Sequence, residues 1–297
     1  MLVRAISSIV GIGLFLGLCF GGLLPFTIGV AIIVALASWE WVGCYRRSLA
    51  IEPGEQSPPT PSRALLKLNP MLVWLGVGFP LLLCFGLLRG RVIEPFEAWL
   101  LVVPVVIFSA LVVRAARTGI ALGELKNWYG LIGVVYIGLL FSSFVLLRAL
   151  PGRINVPPFG SEDRGAWLML FVAICVWTSD TCAYFVGRGI GKHKLAPRLS
   201  PAKTVEGSIG GCLGAILIGA GMSHWLGLTL VQGLIVGAIA GTAGQIGDLF
   251  ESALKREIGV KDFGQIMPGH GGTLDRFDSL LFVAPLAYLY LHFIAHI

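Results

Sequence analysis

Charge is what this sequence has least of. Only 13% of its 297 residues are Asp, Glu, Lys or Arg, about half the roughly 25% usual in soluble chains. A water-soluble globule of this length is therefore excluded. Cysteine pairs are also missing. Cys19, Cys44, Cys84, Cys175, Cys182 and Cys212 are scattered through apolar segments with no Cys-x-x-Cys, which removes a zinc ribbon and leaves small packing residues. The Gly-x4-Gly-Lys-Ser/Thr spacing of a Walker A loop is absent. No internal repeat, heptad run or soluble domain is present, and the Pro-rich stretch Glu52–Ser62 is expected to be a flexible connector.

What is present is apolar. A hydrophobic fraction of 56% and mean hydropathy of +0.85 place the chain among integral membrane proteins, where about 18 or more apolar residues suffice to cross the hydrocarbon core. The expected fold class is an all-α polytopic membrane protein with about nine spans: Ile6–Leu24, Thr27–Tyr45, Met71–Leu88, Ala98–Val113, Trp128–Leu147, Ala166–Gly187, Ser208–Leu226, Thr229–Phe250 and Ser279–His296. Pro104 makes the fourth the least certain in its limits, and Gly21, Gly22 and Pro25 mark a turn between the first two. The first run is longer than the roughly 7–15 residues of a secretory h-region, so an uncleaved span is expected.

Basic residues set the expected sidedness. With alternating spans, 17 of the 22 Lys and Arg residues fall in loops on the side of the N-terminus. The positive-inside bias puts that side in the cytoplasm and the C-terminus outside. It also accounts for the net charge of +6 without a nucleic-acid partner. No Arg-rich, acidic-poor leader is seen, so a bacterial inner membrane is the expected location.

The two halves differ in kind. Residues 1–150 carry few polar groups inside their spans and are expected to be scaffold, whereas residues 151–297 hold the polar spans and long charged loops expected to do chemistry. Asp180 is the first signal, about seven residues and roughly 10 Å inside the sixth span, a depth at which an ionisable residue marks a site. The glycines and basic residues of Gly187–Lys194, followed by Lys203 and Glu206, suit a phosphate cradle or an ordinary cytoplasmic loop. The eighth span ends in Asp248, with Ser252, Lys255 and Arg256 at offsets that share a helical face. Asp275 and Asp278, with Arg276 between them, open the ninth span. Lys261, Asp262, Pro268, Gly269, His270, Gly271 and Gly272 join the two. Converging aspartates without His or Cys partners favour a hard cation such as Mg²⁺. Surrounding Lys and Arg favour phosphate, and together they point to phosphoryl or nucleotidyl transfer.

Ser252-Ala-Leu-Lys-Arg256, Lys261-Asp-Phe-Gly264, Pro268-Gly-His-Gly-Gly272 and Asp275-Arg-Phe-Asp278 resemble the signature of the phosphatidate cytidylyltransferase family, the CDP-diglyceride synthases. Ser200-Pro-Ala-Lys-Thr-Val-Glu-Gly207 and Asp180-Thr-Cys-Ala-Tyr-Phe185 resemble it as well, so the similarity is specific from about Trp177 onward. Cys182 stands where the family usually has glycine, and Thr273 where it has an aliphatic residue. The resemblance implies that CTP and phosphatidate give CDP-diacylglycerol and pyrophosphate with Mg²⁺, a second cation being allowed, in a homodimer. It implies Asp248 and Asp275 as metal ligands, and Asp278 and Asp180 as further ligands or outer support. Lys255, Arg256, Lys261 and Arg276 would neutralise the triphosphate. Lys203 and Ser252 would hold the lipid headgroup, with Glu206, Asp262, His270, Gly271 and Gly272 lining the substrate. The alternatives are a related lipid-phosphate cytidylyltransferase, a polyprenol or phytol kinase, and, from another class, a secondary transporter.

Overall fold

A computed structural model describes residues 2–50, 77–89, 95–118, 132–156, 159–264, 266 and 271–297 as helices packed side by side. Helices α1 (Leu2–Phe20) and α2 (Leu23–Ala50) are separated by Gly22 at φ +105°. α3 (Val77–Leu88) and α4 (Pro95–Thr118) follow. A π-helical turn, Val134–Leu139, leads into α5 (Leu140–Arg148). The second half contributes α6 (Arg164–Ile190), α7 (Val205–Ser223), α8 (Leu230–Ile258) and α9 (Asp278–Leu289).

Where they fall within the described residues, the expected spans overlap these helices; residues 71–76 of the third and 128–131 of the fifth lie outside the described residues. The sequence missed two small antiparallel hairpins, β1 (Arg153–Val156) with β2 (Gly160–Asp163), and β3 (Lys194–Ala196) with β4 (Ser200–Thr204). Among the described residues, Leu23–Cys44, Arg164–Ile190, Val205–Leu226 and Leu230–Glu257 are long and apolar enough to cross a membrane, which gives four candidate spans. The remaining helices have shorter apolar stretches. α4 is longer than its expected span and continues through Pro104, whose missing N–H costs one helical hydrogen bond without ending the helix.

Side-chain oxygens start the main helices. Asp163 caps α6 by accepting from the Gly165 and Ala166 amides, Thr204 caps α7 through the Gly207 amide, and Thr229 with Gln232 forms a capping box on α8. Contacts at the helix ends fix which ends lie together. Arg148, at the end of α5, donates from Nε to the Cys19 carbonyl near the end of α1 (2.7 Å) and pairs with Asp163 at the start of α6 (2.9 Å). At the opposite end, α2, the β3–β4 hairpin, the end of α8 and the start of α9 come together.

Glycine sets the closest approach in the bundle. A Cβ on Gly237 of α8 would collide with the Ala215 carbonyl of α7, and one on Gly219 with the Gly233 carbonyl. Gly211 meets α6 in the same way, its Cβ falling 2.7 Å from the Ser179 oxygen. Gln245 then ties the two backbones, donating to the carbonyls of Ser208 (2.9 Å) and Gly241 (2.7 Å) while accepting from the Ser208 hydroxyl. Beneath the site an aromatic cluster joins four elements. Phe108 of α4 stacks on Phe250 of α8 at 4.5 Å, and Tyr136 and Phe282 close around them.

Gly237→Val should disrupt the α7–α8 seam at a cost of about 1–3 kcal/mol. Gly221→Ala, on open space, should leave stability unchanged. Thermal melting of both purified variants checks this; equal melting temperatures would show that the seam does not need glycine.

Candidate active site

The chain places three acidic helix positions around one basic residue. Lys203 leaves β4 and reaches the Asp248 carboxylate near the end of α8, Nζ to Oδ2 2.6 Å. Asp278, at the start of α9, and Asp180, on an exposed face of α6, both feel the Asp248 charge, and Asp180 feels that of Asp278 as well. α6 runs to Ile190, past the expected limit at Gly187, so Asp180 lies ten residues from its end. Ser252 sits one turn beyond Asp248 and donates from its hydroxyl to Oδ1 at 3.4 Å. Three carboxylates and one lysine named from the sequence, Asp248, Asp278, Asp180 and Lys203, are thus brought within electrostatic reach of one another.

Asp275 has a different environment. Its Oδ2 accepts from the Gly272 amide (2.8 Å) and the Phe263 amide (3.1 Å), and its Oδ1 from Lys255 Nζ (2.9 Å). Burial by itself would raise this carboxyl. The Lys255 ammonium and the hydrogen bonds outweigh that and hold it below its ordinary value, so it is ionised at neutral pH. Lys255 is divided between Asp275 and Glu251, whose Oε2 lies 2.8 Å from Nζ. Glu251 is 1% exposed and its Oε1 has no hydrogen-bond partner. Sequence reasoning passed over Glu251 because an i,i+4 Glu–Lys pair on a charged helix end usually signifies only a solvated face.

Glu40 of α2 was missed as well. It is 4% exposed, and its Oε2 accepts from the amides of Thr273 (2.7 Å) and Leu274 (3.3 Å). Gly264 and Gly272 are shaped around it. A Cβ on Gly264 would strike its carboxylate, and one on Gly272 would lie 2.8 Å from Glu40 Oε2 and 2.9 Å from Asp275 Oδ2. Gly271 adopts φ +84° beside Asp262, a conformation that favours glycine. The glycines assigned to substrate thus also have a packing reason. A region expected to be scaffold therefore reaches into the loop before α9.

The Gly187–Lys194 loop, which suited either a phosphate cradle or an ordinary loop, is filled from within. Glu206 accepts from the backbone amides of Lys192 (3.0 Å) and His193 (3.2 Å) and pairs with His193 Nδ1 (2.6 Å). Gly187 and Gly189 belong to α6. The loop's amides accordingly point at a carboxylate of the chain itself. Arg256 is exposed and donates from Nε to the Leu199 carbonyl at 3.4 Å, while Lys261, Asp262 and Arg276 are exposed at the rim. His270, with Pro268 and Gly269, lies outside the described residues. Of the two departures from the family pattern, Cys182 packs its Sγ where Gly214 leaves room, and Thr273 contributes its backbone amide to Glu40.

The match to known proteins extends beyond these motifs. Residues 2–294 match the model of the cytidylyltransferase family. The chain belongs to that family. It is 32% identical over 290 residues to a phosphatidate cytidylyltransferase of Bacillus subtilis, covering 97% of this chain and 96% of that protein. Proteins of the same name from Staphylococcus aureus and Staphylococcus epidermidis are 40% and 43% identical over 158 residues, 52% of this chain and 55% of each of theirs. As a cytidylyltransferase the chain is a nucleotidyltransferase, and the transporter reading falls away.

Asp275→Asn should lose the Lys255 ion pair and lower stability by about 1–3 kcal/mol. Because the folded carboxyl is held below the ordinary Asp value of 3.8, its stabilisation is complete above that pH and is lost as pH falls through the lowered value. The Asn variant should therefore lack that part of the acid-side decline. Melting curves across acidic pH test this, and parallel curves would show that Asp275 carries no such linkage.

Proposed function

We propose that this chain is an integral membrane phosphatidate cytidylyltransferase that converts CTP and phosphatidate to CDP-diacylglycerol and pyrophosphate. The observation that carries the reading is the grouping of Lys203, Asp248, Asp278 and Asp180 in a chain that matches a so-named relative almost from end to end. A phosphate monoester is already largely dianionic near neutral pH, its second pKa being about 6. A phosphatidate oxygen can therefore attack the α-phosphorus of CTP without a strong general base. The new P–O bond forms as the α–β bridging bond breaks, and pyrophosphate leaves with the electron pair.

The residues meet the remaining difficulty, which is bringing two polyanions together. Lys203 is oriented by Asp248, and Arg256, Lys261 and Arg276 stand exposed to receive phosphate oxygens. Lys255 is committed to Glu251 and Asp275 and supports the site from beneath. Among the described residues no three His, Cys, Asp or Glu side chains are already grouped to hold one ion. Asp248 and Asp278 nevertheless fit Mg²⁺, being hard oxygen donors whose mutual repulsion a cation would relieve. Asp180 is the further carboxylate that a second cation would draw on. Both oxygens of Asp275 are hydrogen-bonded, so in this reading it orders the loop. When bound, Mg²⁺ would neutralise phosphate charge.

The same reading places the site at the cytoplasmic face of a bacterial inner membrane, with nine crossings, the N-terminus inside and the C-terminus outside. Its support is the basic bias together with the shared end of the β3–β4 hairpin, α8 and α9. Homodimerisation is included on the strength of the family resemblance.

Purified protein given CTP, phosphatidate and Mg²⁺ should release pyrophosphate and form the CDP-lipid in equal amounts. Chelation of the metal or Asp248→Asn should abolish both while leaving a folded protein. Pyrophosphate without CDP-lipid would assign another acceptor. Full turnover in Asp248→Asn would remove Asp248 from the chemistry.

A further inference from the structure

A carboxylate buried in an apolar helix is costly unless something specific answers its charge. For Glu40 the answer comes from one loop. The Thr273 and Leu274 amides bind its Oε2, and the Ile266 amide adds to the favourable field. Two further residues on the same side of α2 grip the other strand of that loop. Trp41 stacks on Phe263 with ring centroids 5.3 Å apart, and the Cys44 thiol donates to the Phe263 carbonyl at 2.7 Å. From the opposite side Asp275 gathers the Phe263 and Gly272 amides. The loop backbone is thus clamped between two carboxylates, one from α2 and one of its own. Thr273 and Leu274 immediately precede Asp275, Arg276 and Asp278, so whatever fixes their amides also fixes where those three side chains begin.

We propose that Glu40 is a positioning residue for nucleotidyl transfer, holding the Thr273–Leu274 backbone so that Asp278 and Arg276 stand in register with Asp248 and Lys203. The inference rests on the transfer reading above. Glu40 acts through backbone hydrogen bonds whose geometry depends on the length of its side chain.

Two variants of the full chain separate reach from charge. Glu40→Gln keeps the length and an acceptor oxygen for both amides, whereas Glu40→Asp keeps the charge but withdraws it by one methylene, about 1.5 Å. The Gln variant should retain most of the wild-type kcat. The Asp variant should lose roughly tenfold to a hundredfold in kcat, the scale of an ångström misplacement, with little change in KM for CTP. Hydrogen exchange of peptides carrying Phe263 and Thr273–Leu274 should accelerate in the Asp variant alone, with α7 and α8 unaffected. Wild-type kcat and exchange in Glu40→Asp would overturn the proposal. So would a Gln variant as impaired as Asp with normal exchange, which would make the charge itself the active element. Faster exchange through every helix, or loss of folded protein in either variant, would reduce Glu40 to general packing. Exchange is read whether or not a CDP-lipid forms, so a wrong substrate assignment fails separately.

Discussion

Lys255 is the hinge of the electrostatics in this protein. It has two carboxylates for one ammonium, and both lie where water cannot help: Glu251 is 1% exposed and the Asp275 side chain 3%. Removing that ammonium would leave both carboxylates uncompensated in a poor dielectric, which is far more costly than breaking a surface pair. The arrangement joins α8 to the loop before α9, and Glu40 extends the connection to α2. Three segments distant in sequence are thereby fixed against one another by charges that cannot be relocated cheaply.

This division of labour accounts for why one charged stretch holds two kinds of residue. Asp248, Asp278, Asp180 and Lys203 are partly accessible and face one another, as groups meant to meet a ligand would. Glu251, Lys255, Asp275 and Glu40 are turned inward, each held by hydrogen bonds or ion pairs to other groups of the chain. The outer carboxylates repel one another, while the inner set supplies the rigidity that keeps them assembled. Preorganisation of this kind carries much of the catalytic effect when the chemistry is mainly charge neutralisation.

Helix positions were legible in the sequence because long apolar runs and their Gly and Pro boundaries are local signals. The hairpins were not, since four-residue strands such as Arg153–Val156 have too little periodicity to stand out. Clustering of Asp248, Lys203 and Asp278 was legible through charge scarcity, for an ion in an apolar chain has few innocent explanations. The inward turn of Lys255 and Asp275 was not, because spacing along a helix says which residues share a face and not which face is buried. Glu40 should have been seen. The argument that marks Asp180 applies equally to an acid flanked by Trp39 and Trp41 within an apolar span, and the expectation of an inert first half concealed it. For the Gly187–Lys194 loop, composition left two readings open and could not reveal that Glu206 already occupies its amides.

The glycine seam between α7 and α8 also bears on how a two-tailed substrate could approach. Where Gly219 faces Gly233 and Gly237 faces Ala215, the two backbones touch without side chains between them, and Gln245 adds hydrogen bonds across the joint. An acyl chain is about as wide as the side chains that have been deleted to allow this contact. The joint is thus closed to hydrocarbon, and in the proposed reaction a lipid approaching Asp248 from the bilayer would pass along some other helix boundary.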